Sequence, residues 1–292
     1  MHPSFQTLRD LLRHAVTRFN TEPLFFGHGS DNAFDEAVYL LLHTLKLPLD
    51  RLEPFLDARL SEQEIDTLLH LIERRAKDRV PVAYLTHEAW LGDYRFYVDE
   101  RVIVPRSFIA ELIPEQFHPW VQNPDGVMNV LELCTGSGCL AIMLADAFPN
   151  AQIDAVDLSN DALEVAKKNV NDYELLDRVT LYHSDLYHQL PDKKYDLIVT
   201  NPPYVNSISM TKLPAEYRAE PQMALAGGDD GMDLVRRIVA GAKYRLTDNG
   251  VLIVEIGNEF EFAEAAFANL EITWLSTSAG DTSVFLLTAD QL

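Results

Sequence analysis

The chain has 292 residues, which at roughly 100–200 residues per domain predicts two domains, or one large domain with an appendage. Hydrophobic residues make up 47% of the chain, enough for a packed core and too many for a disordered protein. Lys and Arg number 24 against 45 Asp and Glu, so the formal net charge is −21. A chain this acidic is not expected to bind phosphate backbones as its main task, but its field would attract a basic protein partner.

The sequence shows no feature of a membrane protein, a secreted protein or a Cys-rich metal site. No apolar run approaches the ~18 residues of a membrane span, and the residues after Met1 have neither the basic stretch nor the apolar core of a signal peptide. Two cysteines, Cys134 and Cys139, are too few for a disulfide scaffold or a Cys-rich zinc site. We therefore expect a cytoplasmic protein that needs no metal, does not enter a membrane and does not bind DNA directly.

Residues 1–80 are predicted to form a helical domain. Apolar residues follow the i, i+3, i+4, i+7 spacing of a helix face from Leu8 to Phe19, and again from Phe34 to Leu45. A third helix is expected after Ser61, because Glu64 completes a capping box. Residues 81–104 are predicted to be a linker that contains a β-hairpin with its turn at Gly92.

Residues 105–292 are predicted to form an α/β domain. Apolar strands alternate with amphipathic helices from Val127 onward, which indicates a doubly wound, mostly parallel sheet with helices on both faces. In such sheets ligands bind beyond the carboxyl ends of the strands. The predicted strands are Val127–Leu133, Ile153–Val156, Val179–Tyr182, Leu197–Val199, Val251–Val254, Ile272–Leu275 and Val284–Leu287.

A glycine-containing loop follows the first of these strands. Gly136 and Gly138 let the backbone turn tightly and bring its N–H groups close to a ligand, at the positive end of the next helix. With Ala141 they satisfy G-x-G-x-x-A, the dinucleotide-binding fingerprint. On this pattern alone, a tight turn without a ligand remains the alternative.

Acidic residues end the next two strands. Asp157 lies 19 residues after Gly138, where a carboxylate can accept hydrogen bonds from both ribose hydroxyls of a nucleoside, although with Ser159 it can also cap a helix. Asp185 can receive the exocyclic amine of an adenine, with Leu186 against the ring; a solvated turn is the alternative. Together these features predict a nucleoside cofactor without choosing between a nicotinamide dinucleotide and S-adenosylmethionine.

The fourth strand is followed by the most specific motif, Asn201-Pro202-Pro203-Tyr204. Two prolines fix φ and remove two backbone donors, which leaves a rigid turn rich in carbonyl acceptors. An –NH₂ group can donate to the Asn201 side-chain oxygen and the Pro202 carbonyl, while its plane stacks on Tyr204. Because an amide nitrogen is a poor nucleophile, holding both N–H bonds directs its lone pair and stabilises the positive charge that develops on transfer.

With this motif the sequence resembles the S-adenosylmethionine-dependent methyltransferases that carry Asn-Pro-Pro-Tyr, and within them the glutamine methyltransferases acting on translation proteins. The resemblance covers about Val82 to the end, and the helical N-terminal domain matches in kind. It implies a class I, Rossmann-like methyltransferase fold, S-adenosylmethionine as cofactor, and a glutamine amide bound by Asn201–Tyr204. Glu220-Pro221 and Leu225–Gly231 resemble the family's segment on the same side of the cleft. The cofactor-binding residues it implies are Glu132, Cys134, Thr135, Gly136, Ser137, Gly138, Asp157, Leu158, Asp185, Leu186 and Asn201.

Two segments resemble the branch that methylates the third large-subunit ribosomal protein. Val104–Ile113 departs from the Pro-Arg-Pro-Glu-Thr-Glu typical of the release-factor branch, and Cys134–Cys139 has Cys where those enzymes usually have Gly. Phe108 stands where this branch would have Pro. Arg106, a predicted substrate-binding residue, can contact cofactor or substrate, or bridge the two domains.

The expected function is methyl transfer from S-adenosylmethionine to a glutamine side-chain amide of that ribosomal protein. The net charge of −21 favours a basic ribosomal protein over DNA, with residues 1–80 docking the substrate. Four alternatives remain at this point: the same reaction on a release factor, adenine-amino methylation of nucleic acid, a nicotinamide dehydrogenase, and a non-catalytic factor that binds a basic ribosomal protein.

Overall fold

The structure, a computed structural model, describes residues 5–292 and divides them into two compact units. The first contains the chain up to Ala89 together with Pro214–Ala219; the second contains Trp90–Leu213 and Glu220–Leu292. This division differs from the predicted one, which ended the helical domain at residue 80 and placed a linker at 81–104. The short helix that follows residue 80 buries Val82 in the core of the first unit, so the boundary falls inside the hairpin instead.

The first unit is helical. Thr7 caps its first helix with a capping box to Asp10, and Ser61 caps its third with the predicted box to Glu64. The helices are α1 (Leu8–Thr21), α2 (Ala33–Thr44), α3 (Glu62–Asp78) and α4 (Val82–Thr86), with short 3₁₀ turns at Glu53–Phe55 and Ala215–Ala219.

One residue of the predicted α2 face was placed wrongly. The predicted residues Ala37, Leu41 and Leu42 are buried as expected, but Phe34 is 50% exposed. The side chains that pack in the core are Ala33, Ala37 and Leu40, together with Leu41. Because Asn32 caps the helix, α2 starts at Ala33, and at this first turn it is Ala33 rather than Phe34 that faces the core.

A buried ion cluster explains why Pro214–Ala219 belongs to the first unit. The guanidinium of Arg75, 1% exposed, donates to the carboxylates of Glu36 and Glu216 at 3.0 Å each and to the Phe25 carbonyl at 2.9 Å. The backbone N–H of Phe25 donates to Glu216 as well, at 3.0 Å. Removing one member would leave a buried charge without its partner, which typically costs about 3–5 kcal/mol.

The second unit begins with the predicted hairpin and continues into a seven-stranded sheet. The hairpin is β1 (Glu88–Leu91) and β2 (Tyr94–Tyr97), turning at Gly92 with φ +57°. The sheet strands are β3 (Asn129–Leu133), β4 (Gln152–Asp157), β5 (Val179–His183), β6 (Tyr195–Thr200), β7 (Leu246–Glu255), β8 (Thr273–Thr277) and β9 (Gly280–Thr288). The helices are α5 (Ile109–Leu112), α6 (Cys139–Ala147), α7 (Asn160–Asp172), α8 (Ser207–Met210), α9 (Asp233–Ala242) and α10 (Phe260–Ala266), with 3₁₀ turns at Pro124–Gly126, Gln222–Ala224 and Ala289–Gln291.

The strand order of the sheet is β5-β4-β3-β6-β7-β9-β8. The first five strands in this order are parallel, and β9 runs antiparallel to both β7 and β8. This confirms the predicted α/β doubly wound fold. The chain builds outward from β3 through β4 to β5, then crosses to β6 on the other side of β3. That reversal is a topological switch point, where sheets of this kind bind ligands.

Among residues 5–292, no helix has both the length and the apolar character that crossing a membrane requires.

Candidate active site

The predicted loops of the site lie at the carboxyl ends of the parallel strands. Leu133 of β3 pairs with Val156 of β4 and with Thr200 of β6, so these three strands end level. The glycine loop (residues 134–138) and the Asn-Pro-Pro-Tyr loop (residues 201–204) therefore emerge side by side at the switch point. Asp157 ends β4, and Asp185 follows β5, the next strand outward.

The glycine loop is built from left-handed residues. Gly136 has φ +55° and Gly138 has φ +79°. A methyl group at Gly138 would lie 3.2 Å from Cβ of Ala166, so this glycine permits close packing against α7. A methyl group at Gly136 would meet no atom within 4 Å, so space beside this glycine is open to a ligand.

Cys134 occupies a third left-handed position, with φ +61°, where a side chain costs about 1–2 kcal/mol. Burial raises the pKa of its thiol and raises that of Cys139 to about 12. Both thiols therefore stay protonated and act as small packing groups rather than nucleophiles.

Glu132 supports the glycine loop from inside the sheet. It is 1% exposed, and its carboxyl accepts a hydrogen bond from the hydroxyl of Thr135. Burial raises its pKa to about 8. The backbone N–H of Thr135 donates to Val156 at 2.9 Å, and the carbonyl of Ser137 accepts from Asn169 at 2.8 Å. Glu132 thus holds the loop in shape, and its predicted contact with a cofactor stays a prediction.

Asp157 is bonded to the glycine loop. Its carboxylate accepts from the N–H of Gly136 at 2.9 Å and from the N–H of Ser159 at 2.8 Å, and burial raises its pKa. The N-cap of α7 is Ser159 itself, whose hydroxyl accepts from Ala162. Asp157 is therefore not the helix cap, and each carboxylate oxygen keeps a lone pair for a ribose hydroxyl. Leu158 beside it is apolar and 55% exposed.

Asp185 and Leu186 are less available to a cofactor than Asp157 and Leu158. Asp185 forms a 2.8 Å ion pair with Arg237, whose hydrogen bond lowers the pKa of the carboxyl. Leu186 has φ +51°, is 7% exposed and packs in the main core of the second unit. Little of its side chain is left for contact with an adenine ring.

The Asn-Pro-Pro-Tyr loop is held on both sides. The hydroxyl of Thr200 donates to the Leu133 carbonyl at 2.9 Å, which ties the loop's strand to the strand of the glycine loop. After the loop, the N–H of Val205 donates to Leu225 and its carbonyl accepts from Gly227, both at 2.9 Å. Pro202 is buried, and Asn201, Pro203 and Tyr204 are half-buried. The Asn201 side chain forms no hydrogen bond within residues 5–292, so its oxygen is available to a substrate.

Arg106 is engaged by a buried carboxylate of its own unit. Its two terminal nitrogens donate to the carboxylate oxygens of Glu220 at 2.5 and 2.6 Å, and the N–H of Val104 donates to the same carboxylate at 2.9 Å. This pair holds the segment before β3, a role that was not among those predicted for Arg106; its contact with cofactor or substrate and its bridging of the two domains stay predictions.

Two acidic residues at the end of β7 were missed by the sequence analysis. Glu255, fully buried, accepts from the hydroxyls of Ser107 at 2.6 Å and Tyr204 at 3.4 Å. Glu259 accepts two bonds from the Asn206 side chain at 2.8 Å each. A charge directly after a buried apolar strand was the available signal, since strand ends carry the site in this fold.

Comparisons with known proteins identify the family. Residues 119–216 match the model described as "Methyltransferase small domain", and residues 10–86 match "PrmC N-terminal domain". A ribosomal protein uL3 glutamine methyltransferase from Burkholderia pseudomallei is 65% identical, covering 99% of this chain and 96% of that protein. Proteins of the same name from Neisseria gonorrhoeae and Bordetella pertussis are each 58% identical over 98% of this chain, covering 95% and 96% of those proteins. The chain belongs to the ribosomal protein uL3 glutamine methyltransferase family.

A solved structure supports the fold at greater distance. The hMettl16 catalytic domain in complex with the MAT2A 3′UTR hairpin 6 is similar with a TM-score of 0.50 and 16% identity, covering 78% of this chain and 81% of that one. At this identity the likeness concerns architecture alone.

The glycine-loop side of the site suits the methyl donor of a methyltransferase, S-adenosylmethionine. Residues 134–138 and 157–158 include no Lys or Arg, and Asp157 adds negative charge there, while the charge of Asp185 is paired with Arg237. A nicotinamide dinucleotide would bring two phosphate charges near the Asp157 carboxylate, whereas S-adenosylmethionine carries a cationic sulfonium and no phosphate. The open space at Gly136 and the exposed Leu158 also fit a nucleoside ligand.

Proposed function

We propose that this protein transfers a methyl group from S-adenosylmethionine to the side-chain amide nitrogen of a glutamine in ribosomal protein uL3. The observation that carries the proposal is the placement of Asn201–Tyr204 at the end of β6, beside the glycine loop across the switch point. Family membership supports the substrate, since relatives 58–65% identical over nearly the whole chain bear the name of that reaction.

The Asn-Pro-Pro-Tyr loop would orient the substrate amide. The side-chain oxygen of Asn201 and the carbonyl of Pro202 accept the two amide hydrogens, and Tyr204 stacks on the amide plane. Pro202 and Pro203 keep the turn rigid, so little ordering is needed when substrate binds. With both N–H bonds held, the nitrogen lone pair has one direction, and the two acceptors stabilise positive charge that develops on nitrogen. The new N–C bond would form as the methyl–sulfur bond of the donor breaks, the bonding electron pair would remain on the now neutral sulfur, and one amide hydrogen would leave to solvent as a proton.

The cofactor would lie along the neighbouring strand ends. When bound, S-adenosylmethionine supplies an electrophilic methyl group on a cationic sulfur. Asp157 would accept from the ribose hydroxyls, Leu158 would cover the apolar face of the nucleoside, and Gly136 leaves the room for it. The role of Glu132 would be to keep the loop shaped for this contact.

The partner would be a basic protein met in the cytoplasm. The net charge of −21 would speed the approach of a basic substrate and repel nucleic acid. Within the proposal, residues 1–80 dock the ribosomal protein, and the domain from residue 105 onward carries out the transfer.

Methylation of purified uL3 tests the proposal. The chain would be incubated with uL3 and S-adenosylmethionine, and the products mapped by fragment mass spectrometry. One added methyl group on a single glutamine is expected, with far slower methylation by Asn201→Ala. Cofactor binding without any methylated glutamine in uL3 would contradict the proposal.

A further inference from the structure

We propose that Glu255 is a positioning residue for methyl transfer: its carboxyl group holds Tyr204 in place against the segment that precedes β3. The inference rests on the proposed function, because Tyr204 matters there as the surface on which the substrate amide stacks. Glu255 is the last residue of β7, which lies next to β6, the strand that ends in the Asn-Pro-Pro-Tyr loop.

The two oxygens of Glu255 serve different elements. Oε1 accepts from the hydroxyl of Tyr204 at 3.4 Å. Oε2 accepts from the hydroxyl of Ser107 at 2.6 Å and from the N–H groups of Phe108 and Ile109 at 2.9 and 3.4 Å. One buried carboxyl therefore joins the motif tyrosine to the turn at residues 107–109.

That turn is fixed at its other end by a second buried carboxylate. Glu220 receives the Val104 N–H and both terminal nitrogens of Arg106. Residues 104–109 are thus held by Glu220 at one end and Glu255 at the other. Because this segment is anchored at both ends, it holds the Glu255 carboxyl in one position, and that carboxyl in turn positions the Tyr204 hydroxyl.

Three glycines pack closely against Tyr204. A methyl group at Gly257 would lie 2.5 Å from its ring carbon Cε2, and one at Gly227 would lie 2.7 Å from its Cα. A methyl group at Gly231 would collide with its carbonyl oxygen. These contacts restrict the backbone, the ring edge and the hydroxyl end of Tyr204, and the bond to Glu255 adds a polar contact at that same end.

The surroundings of Glu255 indicate a role other than stability. Within residues 5–292 no Lys or Arg bonds to its carboxyl; the donors are hydroxyls and backbone N–H groups. Burial of a carboxyl with neutral partners raises its pKa to about 7 and disfavours its charged form. A glutamine or an apolar side chain would be cheaper to bury, and groups kept at a cost in stability are typical of functional sites.

A double-mutant cycle on turnover tests the inference. Glu255→Met removes the hydrogen bonds and keeps the bulk, Tyr204→Phe removes only the hydroxyl, and Glu255→Gln keeps one acceptor and one donor. We expect kcat on uL3 to fall about 10- to 100-fold in Glu255→Met, as small misplacements of reacting groups do. Tyr204→Phe should fall comparably, the double variant should be no worse than Glu255→Met, and Glu255→Gln should recover most of the activity. The dissociation constant for S-adenosylmethionine should stay at the wild-type value in all four.

Asp154→Asn is the matched control. Asp154 is also a buried carboxyl that receives a tyrosine hydroxyl, from Tyr195 at 2.8 Å, but it differs in pairing with Lys193 at 2.8 Å and in lying three residues before the end of β4. It should lower the melting temperature and leave kcat unchanged, which separates positioning from loss of a buried carboxyl in general.

Several results would overturn the inference. One is an unchanged kcat in Tyr204→Phe. Another is a double variant whose loss of kcat equals the product of the two single losses. A third is a fall in kcat in Glu255→Met that is no larger than the fall in Asp154→Asn at the same loss of melting temperature. If Glu255→Met does not fold, Tyr204→Phe alone decides, since it leaves the carboxyl in place. Failure of the wild-type protein to methylate uL3 would instead refute the proposed function.

Discussion

Gly136 offers a sharp test of the predicted cofactor site, because Gly92 has almost the same φ elsewhere in the chain. Gly136 has φ +55° and Gly92 has φ +57°, and a methyl group at either would meet no atom within 4 Å. Alanine at each position should carry the same backbone strain, about 1–2 kcal/mol for a left-handed residue. Part of that is offset by the less flexible unfolded chain, so both variants should lose about 1 kcal/mol of stability.

The two variants should differ only in cofactor binding. In Gly136→Ala the new methyl group enters the space predicted for S-adenosylmethionine, and overpacking of about 1–3 kcal/mol corresponds to roughly 5- to 150-fold weaker binding. Gly92→Ala, in the hairpin turn, should bind as the wild type does. Isothermal titration calorimetry with S-adenosylmethionine and thermal denaturation of both variants provide the two readouts. Equal cofactor affinity in the two variants, with equal loss of stability, would refute the placement of the cofactor beside Gly136.

Three further predictions concern the substrate loop and the buried carboxyls. Asn201→Ala should lower turnover about 100- to 1000-fold while calorimetry shows wild-type cofactor affinity, and retained turnover would count against its role as amide acceptor. Glu255 has a pKa raised from 4.5 to about 7, so its contribution to stability is present below pH 4.5 and is lost as the pH rises through 7. The free energy of unfolding of Glu255→Gln, measured in urea, should therefore increase relative to the wild type by about 3 kcal/mol between pH 4.5 and pH 7. A difference that does not change with pH would contradict the raised pKa. Glu220→Gln removes the buried carboxylate that pairs with Arg106 and should lower the free energy of unfolding by about 3–5 kcal/mol; a melting temperature as high as that of Asp57→Asn, an exposed carboxylate paired with Arg9, would show that this pair is not structural.

Local signals predicted much of the fold correctly. The capping box of Ser61 and Glu64 placed the start of α3 correctly, because both reciprocal hydrogen bonds form between near neighbours in the chain. The apolar runs of the parallel strands were visible because these strands are buried on both faces. Because ligands bind at the carboxyl ends of parallel strands, the strand pattern alone predicted that the glycine loop, Asp157 and Asn201 lie together.

Long-range partners were beyond what a sequence pattern shows. Glu216 joins the first unit through Arg75, 141 residues earlier in the chain, and no local spacing indicates that pairing. Glu255 meets Ser107 across 148 residues in the same way. The misplaced Phe34 has a different cause: it is an apolar residue in the first turn of α2, and only packing shows that Ala33 fills the core there instead.

The most direct test of the central claim compares two substrates for methylation. The chain would be incubated with S-adenosylmethionine and, in separate reactions, ribosomal protein uL3 and a peptide chain release factor, and each product would be mapped by mass spectrometry. The account predicts one methyl group on one glutamine of uL3 and none on the release factor. Methylation of the release factor alone, or of neither protein despite measurable cofactor binding, would contradict it.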